Sequence, residues 1–133
     1  MSNTETSGSV FVEQDGLLRR RFKPLPPTEQ DPTGRKAGAP GAKLDAGKPM
    51  AGLLLEFSLA LMAVAEVATY GAQKYSLGGW RQVPDGQRRY TDAMMRHLLA
   101  GGGVDPDSGI AHDAHSAWNA LARLEMRLMV GGE

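Results

Sequence analysis

Glycine-rich breaks divide the latter part of the chain into three segments with helical periodicity, and these breaks constrain the fold most. Apolar residues recur at helical spacing over residues 50–75, 86–100 and 109–130. The second segment ends at the glycines of positions 101–103, and the third ends at Gly131 and Gly132. Glycine commonly terminates helices because it adopts left-handed backbone conformations without a steric penalty. We therefore expect an all-α fold with three helices.

The region before these segments has a different amino-acid composition. Residues 1–42 contain the run KPLPP and many glycine, serine and threonine residues. Such a composition supplies too little apolar surface for a packed core. It predicts a flexible or extended N-terminal arm with at most a short apolar anchor around residues 10–12. The folded domain is then expected to span residues 43–133.

Composition narrows the class of protein. Because the chain has no cysteine, a metal ion would have to be held by oxygen or imidazole ligands. The 15 basic residues balance the 15 acidic ones, so no net charge attracts the chain to nucleic acid or membrane. The N-terminus lacks a signal-peptide pattern, and the most apolar run, residues 53–67, is shorter than a bilayer span of about 20 residues. We expect a cytoplasmic protein.

The first predicted helix is apolar around most of its circumference, which is typical of a helix packed on several sides. Three helices with such a member rarely complete a bundle, so we expect a homo-oligomer, either a dimer or a tetramer. Glu66 lies in the middle of this helix. A carboxylate there is costly unless it is paired, bound to metal or exposed. A metal ligand and an exposed strip both remain open for Glu66.

The segment DPDSGIAHDAHSAWN is the richest in chemically active side chains. Asp105 and Asp107 lie in a predicted turn, where Asp107 or Ser108 can cap the third helix. His112 and His115 follow at a spacing that places both rings on one helix face. Carboxylates beside imidazoles can coordinate a divalent cation, and charged imidazoles can bind phosphate. A capped helix with a solvated polar face explains the same pattern.

Helical projection gives the third helix two distinct faces. The predicted apolar face comprises Ile110, Ala114, Ala117, Leu121, Leu124 and Leu128, and the polar face comprises His112, His115, Ser116, Asn119 and Arg123. In the second helix, Asp92 and Arg96 have the spacing of an ordinary ion pair. His97 falls on the apolar side of that helix, which favours a hydrogen-bonded core histidine over a catalytic one.

Two loops offer binding groups. Lys74, Tyr75 and Trp80 lie in GAQKYSLGGWRQ, where aromatic rings beside cations suit base stacking and phosphate binding. A hydrophobic plug at the end of the bundle would use the same residues. Lys48 lies in KLDAGKP, a lysine-flanked turn before a helix N-terminus that suits an anion.

Four blocks together carry a resemblance: KLDAGKP, YGAQKY followed by Trp80, RYTDAMMRHLLA, and DPDSG-x-x-H-x-x-H-x-x-x-N. In order and spacing they resemble the MazG-like phage family of dATP/dGTP diphosphohydrolases, which includes the MazZ enzymes. The resemblance covers residues 43–129. It implies a MazG-like helical bundle completed by oligomerisation, with Mg²⁺ or Mn²⁺ as cofactor. The implied reaction converts a purine deoxynucleoside triphosphate into the monophosphate and pyrophosphate, with dGTP favoured, in phage metabolism for 2-aminoadenine DNA.

With the resemblance, the candidate residues acquire expected roles. We expect the metal to be held by Glu66, Asp105 and Asp107, and catalysis to involve Glu66, His112 and His115. The phosphates are expected to bind Lys48, Lys74 and Arg96. The base is expected to pack on Tyr75 or Trp80, and its edge or the sugar to contact Asn119. The paired acidic helix motifs of the wider MazG pattern are not recognisable in this sequence.

Two other functions remain open at this point. One is a non-enzymatic helical phage protein that binds a host or phage partner. The other is a phosphohydrolase that releases triphosphate, which the adjacent His112 and Asp113 suggest.

Overall fold

The computed structural model describes residues 11–14, 17–20 and 29–131. Within these residues lie three α-helices: α1 (Ser58–Lys74), α2 (Gly86–Leu99) and α3 (His112–Gly131). Two 3₁₀ segments, Ala51–Phe57 and Gly79–Gln82, precede α1 and α2. The helices confirm the predicted all-α class. The expected cap of α3 by Asp107 or Ser108 is wrong, because α3 begins only at His112.

The predicted N-terminal arm contains a short hairpin. Strand β1 (Phe11–Gln14) pairs antiparallel with β2 (Leu17–Arg20), with Phe11 opposite Arg20. β2 lies along α3. The short apolar anchor expected near residues 10–12 overlaps β1, whereas residues 1–10, 15–16 and 21–28 of the predicted arm lie outside the described residues. Two four-residue strands carry too short an alternation to stand out in the sequence.

The chain divides into two compact units, Met1–Arg20 with Phe57–Glu133, and Arg21–Glu56. In the second unit, Asp31 organises a loop. One of its carboxylate oxygens accepts hydrogen bonds from the hydroxyl and the amide of Thr33, and the other accepts one from the amide of Lys43 at 2.7 Å. These bonds, that from the Thr33 hydroxyl foremost, hold the pKa of Asp31 below its ordinary value.

The face of α3 that was predicted to be polar turns towards α2. His115, Ser116 and Asn119 are buried, while Leu121 and Leu124 of the predicted apolar face are exposed. The Ser116 hydroxyl donates to the carbonyl of Met94 in α2 at 3.3 Å. Much of this face is therefore packed between helices, and the alternative of a solvated polar face is wrong.

The apolar surface of α1 is largely uncovered. Leu59 and Met62 are 88% and 65% exposed, and Phe57 just before the helix is 59% exposed. Among the described residues the buried apolar side chains are small ones: Val67, Ala114 and Ala122. The helical stretch Ala51–Lys74 is also long and apolar enough to cross a bilayer by length and composition, a test that a core helix of a soluble protein also passes. The sequence alone predicted an apolar run too short to span a bilayer. The helical stretch is longer than that run because the 3₁₀ segment continues into α1.

Candidate functional site

A cleft of about 1020 Å³ lies among the C-terminal half of α1, the loop that follows it, α2 and the start of α3. Three groups of side chains line it. The first is the histidine cluster of His97, His112 and His115 with Asp105; the second is the aromatic cluster of Trp80, Tyr90 and Trp118; the third is the basic set of Lys74, Arg81, Arg89 and Arg96. The volume is that of a pocket for a nucleotide-sized ligand.

The turn before α3 fixes Asp105. Its Oδ2 accepts hydrogen bonds from the amide of Ser108 at 3.0 Å and from the Ser108 hydroxyl at 2.8 Å. Gly109 closes the turn with a φ of 71°, a value that glycine adopts freely, and its amide donates to the carbonyl of Asp105. The Ser108 hydrogen bonds lower the pKa of Asp105, so this carboxylate is ionised at neutral pH.

The histidine cluster joins two helices. His97 lies in the last turn of α2, while His112 begins α3 and His115 follows one turn later. The rings of His97 and His115 stack with centroids 4.4 Å apart and planes at 8°. The Nδ1 atoms of His97 and His112 are 2.9 Å apart, so one ring donates a hydrogen bond and the other accepts it. The cluster therefore holds the imidazoles in fixed orientations.

Ser108 links the cluster to Asp105. Its single hydroxyl proton is directed to the Asp105 carboxylate, so its oxygen accepts the proton that His115 Nε2 donates at 2.7 Å. His115 is thereby held in the Nε2–H tautomer. His115 is buried, and Asn119 donates a hydrogen bond to its backbone carbonyl at 2.8 Å. His115 thus positions Ser108, and through it Asp105.

Burial sets the charge of the cluster. Desolvation lowers the pKa of His97, and the neighbouring His115 and His112 lower it further, against the opposing effect of Asp105. Desolvation also lowers the pKa of His115 and outweighs the attraction of Asp105. Both rings are therefore neutral at pH 7, which is the state in which imidazole binds metal ions.

Among the described residues, one group of side chains can hold a metal ion. His97, Asp105 and His112 each offer one ligand atom, and these atoms lie within 4.8 Å of one another. Two imidazoles and a carboxylate form a donor set that suits a divalent cation. Asp107 also lines the cleft but is exposed and lies outside this group.

The basic and aromatic sets surround the rest of the cleft. Lys74 lies 5.7 Å from the ring centroid of Tyr70 and 5.4 Å from that of Tyr75, and the pKa of Lys74 is raised chiefly by Tyr75 and then by Tyr70. Trp118 makes edge-to-face contacts with Trp80 at 5.8 Å and with Tyr90 at 5.7 Å. The Tyr90 hydroxyl donates to the carbonyl of Trp80 at 2.7 Å, which fixes the loop onto α2.

Most of the predicted site residues meet in this cleft. Its lining includes Asp105, Asp107, His112, His115, Lys74, Tyr75, Trp80, Arg96 and Asn119. Glu66 does not line it and is exposed on α1. Lys48 belongs to the Arg21–Glu56 unit and pairs there with Glu29 at 3.0 Å.

Sequence reasoning missed three members of the site. His97 was interpreted as a core histidine, although it stands in the RYTDAMMRHLLA block; it is hydrogen-bonded as expected, but its partner is His112 in the cleft. Ser108 was expected only as a helix cap, and Trp118 gave no distinct signal. The expected pair of Asp92 with Arg96 is also wrong: Asp92 accepts a hydrogen bond from Arg88 at 2.9 Å, and Arg96 lines the cleft.

Fold and cleft together define a small helical protein with groups suited to a divalent cation, to phosphates and to an aromatic base. A family model described as dATP/dGTP diphosphohydrolase, N-terminal, matches residues 38–131. The chain belongs to this family, and its class of activity is nucleoside triphosphate pyrophosphohydrolysis. No curated protein and no solved structure matches the chain.

Proposed function

We propose that this protein hydrolyses dGTP in preference to dATP and other nucleotides, giving the monophosphate and pyrophosphate with the aid of Mg²⁺ or Mn²⁺. The observation that carries the proposal is the cleft, in which the Asp105–histidine cluster shares one cavity with basic and aromatic side chains. Family membership supports the reaction class. The preference for dGTP and a role in phage synthesis of 2-aminoadenine DNA rest on the resemblance to MazZ enzymes.

Charge supports a triphosphate as the ligand. A nucleoside triphosphate brings about four negative charges, which have to be offset by cations for an anionic transition state to form. Lys74 and Arg96 line the cleft and are exposed towards solvent. We assign both to the phosphates. A divalent ion near Asp105 would supply the remaining positive charge and activate water for attack on phosphorus.

The aromatic cluster supports a base at another part of the cleft. Trp80 is half-buried and held by Tyr90 and Trp118, whereas Tyr75 is 78% exposed. A ring held by its neighbours loses little conformational freedom when a base packs on it. We therefore assign Trp80 to the base and Asn119 to the sugar or base edge.

Exposed apolar surface supports a homo-oligomer. The uncovered side chains of α1 and the small buried side chains around it leave the helix without a complete core in one chain. We propose that copies of the chain cover this surface in the cytoplasm, as a dimer or tetramer. Glu66 would then reach substrate only in the cleft of a second copy.

Product analysis tests the function. The protein is incubated with each of the four dNTPs and with Mg²⁺ or Mn²⁺, and the products are separated by ion-exchange chromatography. We expect dGMP and pyrophosphate in equal amounts from dGTP. Release of inorganic triphosphate and nucleoside would instead identify the alternative phosphohydrolase. Absence of turnover with all four nucleotides and both ions would favour the non-enzymatic binding protein.

A further inference from the structure

The geometry points to a mixed nitrogen–oxygen metal site formed by His97, Asp105 and His112, which binds Mn²⁺, Co²⁺ or Zn²⁺ in preference to Mg²⁺. The inference deepens the proposed function, on which it rests for the use of the ion. It differs from the ligand set expected from the sequence, which consisted of the three carboxylates Glu66, Asp105 and Asp107.

The three ligands come from separate parts of the chain. His97 lies in the last turn of α2, Asp105 lies in the turn before α3, and His112 is the first residue of α3. Their candidate ligand atoms nevertheless lie within 4.8 Å of one another. The packing of α2 against α3 therefore creates the site, and neighbouring positions in the sequence do not.

The two histidines approach closely enough to bind one ion. Their Nδ1 atoms are 2.9 Å apart and share one proton in a hydrogen bond. A neutral imidazole can carry its proton on either nitrogen, so a shift of that proton to Nε2 leaves both Nδ1 lone pairs free for an ion. The Asp105 carboxylate lies within 4.8 Å of a ligand nitrogen of each ring and adds the negative charge that favours a divalent cation.

Ligand type decides which ion is preferred. Mg²⁺ favours oxygen ligands in an octahedron and gives up its water reluctantly. Imidazole nitrogen suits later first-row metals, whose affinity for such sites rises from Mn²⁺ through Co²⁺ and is higher for Zn²⁺ than for Mn²⁺. A site with two imidazoles and one carboxylate should therefore discriminate against Mg²⁺, whereas a site of three carboxylates should accept it.

Two neighbours hold the ligands in place. The Ser108 amide and hydroxyl fix the direction of the Asp105 carboxylate, and the stacked ring of His115 fixes the plane of His97. Outer partners of this kind orient ligands before the ion arrives. The site is thus built in advance rather than assembled from mobile surface side chains.

Calorimetric titration of the chelator-treated full chain with each metal chloride alone tests the site. We expect one ion per cleft and an affinity for Mn²⁺, Co²⁺ and Zn²⁺ at least about tenfold above that for Mg²⁺. Co²⁺ should also give visible absorption bands characteristic of nitrogen ligation. Equal or tighter binding of Mg²⁺ would overturn the proposed selectivity.

Matched variants locate the ligands. His97→Ala, His112→Ala and Asp105→Asn should each weaken Co²⁺ binding about 100-fold or more, while Asp113→Asn should not, because Asp113 is exposed and lies outside the cleft lining. Circular dichroism checks the fold, and His112→Asn provides a polar replacement of similar size. Unchanged Co²⁺ affinity and spectra in the histidine variants would overturn the assignment.

Metal titration is carried out without nucleotide, so it tests the metal site independently of the proposed function. Metal binding as expected, without pyrophosphate release from any dNTP, would overturn the function and leave the metal site intact. Pyrophosphate release from dGTP by a protein whose Co²⁺ spectrum is unaffected by His97→Ala and His112→Ala would do the reverse.

Discussion

The imidazole rings of His97 and His115 stack face to face, with centroids 4.4 Å apart and an angle of 8° between their planes. This contact joins the end of α2 to the start of α3. Because burial lowers the pKa of both rings, each is neutral at pH 7. A neutral His97 can act as a metal ligand. The buried His115 stacks on its ring and also forms a hydrogen bond with Ser108.

The first prediction concerns the Ser108 hydroxyl, which orients the Asp105 carboxylate for metal binding. Ser108→Ala removes the hydroxyl that joins Asp105 to His115 at 2.8 and 2.7 Å. We expect metal affinity to fall about 10- to 100-fold, as is typical when an outer partner of a ligand is lost. Ser108→Thr retains the hydroxyl and should restore most of the affinity. Calorimetry with Mn²⁺ measures both variants, and equal affinity of the alanine variant and the unaltered protein would contradict this role.

Arg96 tests the phosphate assignment, and Arg88 provides its control on the same helix. Arg96 lines the cleft, whereas Arg88 lies outside its lining and is paired with Asp85 and Asp92. Arg96→Ala should raise the KM for dGTP about tenfold or more, because a hydrogen bond to a charged group is lost. Arg88→Ala should leave KM nearly unchanged. Steady-state pyrophosphate release gives both values, and equal effects of the two changes would refute the assignment.

Alanine substitutions distinguish Trp80 from Tyr75 as the ring on which the base packs. Loss of stacking in Trp80→Ala should raise the KM for dGTP by about tenfold, as base–aromatic contacts commonly contribute. Tyr75→Ala should have a smaller effect, since Tyr75 is 78% exposed. Trp80 also packs against Tyr90 and Trp118, so the thermal midpoint of unfolding is recorded alongside the kinetics. A larger change in KM for Tyr75→Ala would reverse the assignment.

Leu59 tests the proposed self-association. It is 88% exposed on α1 beside other uncovered apolar side chains. A charge placed in an apolar interface is left without water or a partner, so Leu59→Asp should dissociate the oligomer. Asp113→Asn, an exposed change on α3, serves as the control. Sedimentation velocity reports the species present; a monomeric unaltered protein would rule out the proposal.

Local sequence signals predicted the helices well and the site in part. Glycine stops and apolar periodicity are properties of single segments, so α2 was placed almost to the residue. Asp105, His112 and His115 stood out because they are close in sequence and differ from their apolar surroundings. These local signals did not require knowledge of how the helices pack.

Residues that join the site through packing could not be found in this way. His97 and Trp118 line the cleft because α2 lies against the polar face of α3, and periodicity alone assigned that face to solvent. Glu66, by contrast, was predicted to lie in the site but does not line the cleft. The next residue, Val67, lines the cleft, but successive residues differ by about 100° around a helix, which leaves Glu66 exposed.

Pyrophosphate release from dGTP by Asp105→Asn, compared with Asp113→Asn and Glu66→Gln, tests the central claim most directly. The cleft centred on Asp105 predicts a loss of at least about 100-fold in kcat for Asp105→Asn, as expected when a group that stabilises the transition state through a bound ion is lost. Asp113→Asn should retain full activity, and Glu66→Gln should lose less than Asp105→Asn. Full activity of Asp105→Asn would contradict the placement of the active site in this cleft.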